Sequence, residues 1–520
     1  MQAGTFSPHR HKETAVAVGL ACLLIFAPLL RGSVHPLPLM LLELGAVAVL
    51  LLRLWPPVFS GETKPPSLFL ASVAERVVED RASRSLTWAA LTLLFLYPLI
   101  YLIPLPFELW AELPGRAPYA QALGLLEAPD VRWRPLAIVP MLAESFWLAL
   151  LPPLAVFLGA VALPIRSLNV LIAIVLGMAV TQALLGLMQM GAGSASPLCL
   201  GNPYCGGSAT GTYVNRNHLA GLLEMVLPVG LGLLAATIGR AARDKHYRRS
   251  WRERLLFLST WRAHVAVFYG AASIAILLGL IFTRSRSGVM LAMLGILLAA
   301  VAFARRLGGN NVFGTIGTVT AIGVALAVEI GLAPVLQRFT LADPLQDSRW
   351  TIYSSALQGI GSFFPLGSGA GTFPEIYRQF QPLELGRFSV DHVHNEYLEW
   401  LFEGGLMGAF ILLLLLALYS RQWFRIRAHN TQWPTFRFAQ IGAGIGLLLI
   451  SLHGFVDFNW HIPANALYTA FLAAVFFHAP DMRPKKPPEG HRSTHRTFER
   501  EALPIKPPPS PVPVTNPFLE

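Results

Sequence analysis

Residues 391–403 read Asp-His-Val-His-Asn-Glu-Tyr-Leu-Glu-Trp-Leu-Phe-Glu, ending a long polar segment that runs straight into the apolar block 406–419. Two histidines, an amide and several carboxylates therefore sit where a membrane surface must lie, a costly place for such groups unless they are used. An imidazole, with an ordinary pKa of about 6.5, can take the proton of an alcohol near neutral pH. His394 is the candidate base. His392 is the alternative, and a third reading has His394 bonding backbone ahead of a helix over 395–403. Asp391 and Glu403 are candidates to orient a histidine or an arginine, and Asn395 to contact substrate. Glu396, Glu399 and Glu403 share one helical face at this spacing.

A second cluster lies in Thr283-Arg284-Ser285-Arg286-Ser287-Gly288, a tight turn between two short apolar stretches. Guanidinium groups stay charged and fork onto phosphate oxygens, so Arg284 and Arg286, with Arg349 further on, are candidate phosphate ligands. The plainer reading, arginines reaching lipid headgroups to anchor helix ends, applies to any one of them singly. Gly288 allows close approach by another chain or a ligand. The histidines lack cysteine or histidine partners at finger spacing, so no metal is expected.

These groups need a scaffold, and composition says which. The chain has 520 residues, 54% hydrophobic and 13% charged, with a mean hydropathy of +0.53. Soluble proteins carry about 25% charged residues, so this is an all-α, polytopic membrane protein. Apolar runs predict about twelve spans, near 14–30, 36–54, 86–103, 141–163, 168–190, 217–238, 265–282, 288–304, 312–333, 404–419, 438–455 and 462–478. The first follows basic residues and has no small-residue cleavage site after it, so it reads as a retained span. The net charge of +11 does not indicate nucleic acid, because the basic residues fall in short loops between spans.

Their distribution orients the chain. With both termini cytoplasmic, every lysine is inside, and the 239–264 loop is the strongest anchor. Only Arg31, Arg116, Arg132, Arg134, Arg216, Arg284, Arg286, Arg338, Arg349, Arg378 and Arg387 then lie outside. The outside segments include 104–140, 191–216, the turn 283–287 and a large loop, 334–403, with a helix-like stretch over 349–360. Residues 1–478 form the membrane domain. The segment 479–520, rich in Pro, Lys and Arg, is read as a disordered cytoplasmic tail.

The ordered motifs resemble the O-antigen ligase and polymerase superfamily of bacterial envelope glycosyltransferases. They are Gly211-Thr212-Tyr213-Val214-Asn215-Arg216-Asn217-His218, the turn 283–288, Arg349-Trp350, Pro365-Leu366-Gly367-Ser368-Gly369-Ala370-Gly371-Thr372-Phe373, His392–Tyr397 with Glu403-Gly404-Gly405, and the stretch 453–465. They cover about 200–470, with the large loop before the third-last span. The resemblance implies a fold similar to GT-C-type glycosyltransferases, in the bacterial inner membrane, with a periplasmic active site. It implies an undecaprenyl-pyrophosphate-linked glycan donor and a sugar hydroxyl acceptor, either lipid A-core (lipopolysaccharide biosynthesis) or the end of another glycan. It also implies essential arginines at Arg286 and Arg349, a histidine at His394, inversion at the anomeric centre, and no metal or other cofactor. Membrane lipids would be the surrounding partners.

Ligase and polymerase share this chemistry and differ in acceptor. A transporter or flippase would call for ionisable residues paired within several spans and often inverted repeats; a scaffold would use the proline-rich tail. Asn215 and Asn217 read first as caps opening the sixth span, then as acceptor contacts. Asp457 and His461 read as a polar cluster at a helix end packed on the large loop, ahead of any catalytic part. Cys199 and Cys205, with Gly, Asn and Pro between them, fit a short periplasmic disulfide that staples the loop before the sixth span; two free thiols are the alternative.

Overall fold

The computed structural model describes residues 8–54, 81–125, 132–193, 195–243, 261–307, 310–331, 348–387, 389–428 and 433–479. The basic stretch 244–260, Lys64, Arg338 and the tail from Pro480 onward lie outside the described residues. In chain order the helices are α1 Pro8–Leu29, α2 Pro36–Leu54, α3 Arg81–Ile100, α4 Phe107–Glu112, α5 Ala117–Leu125, α6 Pro140–Val161, α7 Ile165–Ala192, α8 Arg216–Arg243, α9 Trp261–Phe282, α10 Arg286–Leu307, α11 Asn310–Gly331, α12 Arg349–Phe363, α13 Phe373–Ile376, α14 Glu396–Ala428, α15 Thr435–His453 and α16 Pro463–Phe477.

The chain is an all-α polytopic membrane protein. Among the described residues ten helices are long and apolar enough to cross a bilayer. Two further apolar helices, Ser85–Ile100 within α3 and Pro463–Phe477, are shorter. All twelve coincide with apolar runs in the sequence. One element was not expected: Pro104–Pro106 (β1) pairs antiparallel with Trp133–Pro135 (β2). The alternation that marks longer strands has no room to appear in three residues.

Helix α8 is the hub. Its apolar window is wholly buried, as expected of a helix that is hydrophobic on every side. It packs against α7, α9, α10 and α15. Contact with α15 is close because Gly442 faces the backbone of α8: a Cβ there would meet the Pro228 carbonyl oxygen at 2.6 Å. Without a hydrophobic drive between helices in lipid, such small-residue contacts do much of the holding.

The segment before α8 is a loop that the bundle must satisfy, since its backbone groups have no ladder. Two buried α7 amides do so. Gln189 donates to the carbonyls of Leu198 at 3.0 Å and Gly211 at 2.6 Å, and accepts from the Gly211 amide at 2.9 Å. Gln182 accepts from the Thr212 amide at 2.9 Å. Cys199 and Cys205 are disulfide-bonded, with their Cα atoms 5.6 Å apart.

The end of the large loop is helical. Residues 396–403 continue into the span 406–428 as one element, α14, bent at Gly405, whose φ of 51° and ψ of −135° break the helix. The positive φ is a conformation glycine adopts without steric cost. Glu403, just before the bend, accepts from the Gly371 amide at 2.8 Å and the Phe373 amide at 2.9 Å. It thereby fixes the glycine-rich stretch 367–373 against α14. Arg116, fully buried, closes the same stretch from the other side, donating to the carbonyls of Pro114, Leu136 and Gly367.

Candidate functional site

Five helices bring their ends to one face of the bundle: the starts of α8, α10 and α14, and the ends of α9 and α15. With α12 they enclose a cavity of about 830 Å³. Four arginines line it, Arg216, Arg284, Arg286 and Arg349, together with Asn217, Ser285, Ser287, Tyr353, His394 and Asn395.

The turn between α9 and α10 is shaped for this. Arg284 takes a left-handed backbone, φ 57°, a rare state for a residue with a Cβ and one that recurs at functional sites. The Thr283 hydroxyl donates to the Leu280 carbonyl at 2.6 Å and accepts from the Ser285 amide at 3.2 Å, closing the end of α9. Gly288 is approached by α8 rather than by a ligand: a Cβ there would meet the Ala220 Cβ at 2.7 Å. Its role is to let α10 start close to α8, which carries Arg216 and Asn217.

His394 is also left-handed, φ 58°. Tyr353 of α12 holds it by donating to its carbonyl at 2.8 Å. It does not cap α14. Asn395 does, its Oδ1 accepting from the amides of Tyr397 and Leu398, both at 3.1 Å. Asn395 also donates to the Phe455 carbonyl at 3.0 Å, so both ends of its amide are engaged although it lines the cavity.

The residue that sequence reading undervalued is Asp457. It is fully buried. His394 Nδ1 lies 3.3 Å from its Oδ1, and Asn217 donates to its Oδ2 at 2.8 Å. The guanidinium of Arg349 and the ring of His218 each come within 3.9 Å. Burial alone would push this carboxyl up. The hydrogen bond with His394 and the charges of His218, His394 and His453 outweigh it and hold Asp457 well below the usual carboxylate range. Asp457 is thus an ionised hub tying a histidine, an asparagine and an arginine from three elements. The sequence offered one signal, an aspartate directly after a span, which a helix-end polar cluster fits equally well.

The other candidates divide. Arg284, Arg286, Arg349, Asn217, His394 and Asn395 gather at the cavity. Asn215 does not line it; its side chain accepts from the Asn217 amide at 2.9 Å and caps α8. Asp391 is exposed and accepts from Ser389. Glu403 anchors the glycine-rich stretch as described. His392 stands apart: its Nδ1 is 2.7 Å from Glu399, and its ring stacks on Phe458 at 4.2 Å.

Behind Phe458 a second polar cluster forms. Glu396, Glu399 and Glu403 are all buried. His461 lies 3.0 Å from Glu396 and 3.3 Å from Glu399. Burial would push this imidazole down, but the charges of Glu399, Glu396 and Glu403 raise it to about 10. His392, Glu399 and His461 offer ligand atoms within 4.8 Å of one another, a grouping that could hold a cation. Direct hydrogen bonding and ion pairing already join them in place.

The fold and the cavity thus define a multi-pass membrane protein with a cationic, histidine-bearing pocket at one face. Residues 271–413 match a family model described as O-antigen ligase, so the chain resembles that superfamily over the arginine turn, the large loop and the His392–His394 motif. The match supports a membrane protein of the glycan-transferring ligase or polymerase kind in the bacterial inner membrane. No curated protein matches the chain.

Proposed function

We propose that the chain transfers a glycan from undecaprenyl pyrophosphate to a sugar hydroxyl at the periplasmic face, as an O-antigen ligase-like enzyme acting on lipid A-core. The observation that carries this reading is that four arginines and His394 line one cavity, with Asp457 buried behind the histidine. A pyrophosphate leaving group needs its growing charge neutralised as the bond from C1 to oxygen breaks, and fixed guanidiniums do that. The acceptor alcohol needs a positioned base.

In this mechanism His394 Nδ1–H donates to Asp457, leaving Nε2 free for the acceptor hydroxyl. The hydroxyl oxygen attacks C1 as its proton moves to Nε2. The electron pair of the breaking bond goes to the pyrophosphate, held by Arg286 and Arg349 with Arg216 and Arg284 beside them. One displacement inverts the anomeric centre. Asp457 stabilises the imidazolium that forms, at a carboxylate kept ionised by its surroundings. Residues 1–478 carry this activity, and 479–520 are a cytoplasmic appendage.

The test supplies purified protein with an undecaprenyl-pyrophosphate glycan and two acceptors, lipid A-core and free glycan. Transfer to lipid A-core is the expected result. Elongation of free glycan alone would make the enzyme a polymerase. Transfer to neither would reject the reading.

A further inference from the structure

A second histidine–carboxylate pair lies beneath the cavity floor. His453, at the end of α15, and Glu224, in the third turn of α8, are both fully buried. His453 Nδ1 is 2.9 Å from Glu224 Oε1, and its Nε2 is 2.9 Å from Ser287 Oγ. Of these three residues only Ser287 lines the cavity. It sits in the first turn of α10, beside Arg286, with Ser285 Oγ at 3.3 Å.

Packing does not account for the pair. Two ionisable groups are costly to desolvate, and a matched apolar pair in their place is often as stable or more so. An ionisable pair inside a membrane bundle points to use. An apolar pair could not hold the Ser287 hydroxyl. When Nε2 carries a proton, it donates to Ser287 Oγ, and the serine's own proton is then directed away from His453, toward the cavity and Ser285 Oγ on its wall. Glu224 balances the imidazolium from the other side. The charged and titratable groups facing His453 are Glu224 on α8, Asp457 after α15, Arg349 on α12 and His218 at the start of α8.

We infer that Ser287 is a ligand of the donor's phosphate, and that Glu224 and His453 are positioning residues that turn its hydroxyl proton toward that anion. This rests on the reading of the cavity as a pyrophosphate site and adds to it a buried device that the arginine turn alone does not contain.

The probe is inorganic pyrophosphate, titrated calorimetrically into the purified full chain in detergent. Ser287→Ala should weaken binding about tenfold, the effect of one hydrogen bond to a charged group. Ser287→Thr should bind within about twofold of the parent. Glu224→Gln should show the alanine variant's loss, and no further loss when combined with Ser287→Ala, because it acts through that hydroxyl. His453→Leu, which leaves no donor for Ser287 Oγ, should behave likewise. If either buried variant fails to fold, Ser287→Ala and Ser287→Thr, changed at the cavity wall, carry the test. Unchanged binding by Ser287→Ala overturns the inference, as do losses that multiply in the Glu224→Gln double variant. Arg286→Ala separates the levels. If it loses pyrophosphate while Ser287→Ala does not, the cavity reading stands and this inference falls. If neither variant changes binding, or the parent does not bind, both fall.

Discussion

His392 and His394 are two residues apart and do different things. Phe458 stands between their environments: His392 stacks on its face at 4.2 Å and His394 meets its edge at 4.8 Å. On one side His394 faces the arginine-lined cavity, with a single carboxylate, Asp457, behind it. On the other, His392 joins His461 among three buried glutamates. The first cluster holds one ionised acid beside several cations and is open to a ligand. The second holds acids and imidazoles that compensate one another. In the proposed mechanism the first histidine meets the substrate, whereas the second holds α14 to the segment after α15. Identical residue types in one motif are therefore distinguished by which carboxylate each reaches.

The largest effects should fall on the cavity side. His394→Ala and Asp457→Asn are expected to lower turnover by on the order of 10²–10⁴-fold, the usual worth of a positioned base and its partner, with pyrophosphate binding nearly intact. His392→Ala should leave turnover close to the parent's and lower the thermal midpoint instead, because the buried Glu399 loses a partner. Steady-state rates beside thermal unfolding separate the two. If His392→Ala abolishes transfer in a folded protein while His394→Ala does not, the assignment is reversed.

Next in size are the arginines. Arg286→Ala and Arg349→Ala should each cost about 10²–10³-fold in turnover, as expected for removal of one fixed charge aimed at the transition state. Lysine at either position should recover only part, since an ammonium cannot fork onto two oxygens. Full activity in the lysine variants would reject bidentate contact, and full activity in the alanine variants would remove the phosphate role. Arg349 also approaches Asp457, so its alanine variant should disturb His394 more than Arg286→Ala does, visible as a shift in the pH profile of turnover.

Much of this was legible in the residues. The spans follow from apolar runs, because a bilayer demands about twenty apolar residues in a row and few other structures do. The arginine turn and the His392–His394 motif stood out as charge where charge is expensive. What could not be read was pairing across the chain. Asn217 and Asp457 are 240 positions apart, and only packing of α8 against α15 makes them neighbours. Glu224 and His453, 229 positions apart, were hidden in the same way. Asn215 caps α8, as its first reading has it, whereas Asn395 is a cap as well as a cavity residue, because an amide just ahead of a helix fits both uses.

The compensated side gives a smaller, pH-dependent effect. His461 is raised from 6.5 to about 10 in the folded protein. A group whose folded pKa is raised stabilises the fold fully below its unfolded value and loses that stabilisation as pH rises through the folded one. The thermal midpoint should therefore decline from about pH 6.5 toward about pH 10, and His461→Gln should flatten that slope. A slope unchanged in the variant would place its origin in other groups. Activity near neutral pH should not follow this titration, since His461 lies behind Phe458 and not in the cavity.

The smallest effect belongs to the loop ahead of α8. Cys199 and Cys205 close a short ring, and closing so few residues is worth about 2 kcal/mol by the chain-entropy account. Gln189, Gln182 and Asn202, which donates to the carbonyls of Tyr213 and Val214, hold the same loop independently. Cys199→Ser with Cys205→Ser should therefore leave the fold intact, lower the thermal midpoint slightly and reduce turnover only as far as the start of α8, with Arg216 and Asn217, loosens. Alkylation without reductant followed by mass spectrometry checks the bridge in the parent. Two freely modified thiols would reject it, and their modification by a cytoplasmic reagent would also invert the orientation on which the proposed periplasmic placement of the site depends. A loss of turnover as large as that of His394→Ala would mean the loop, and not the dyad, governs access to the cavity.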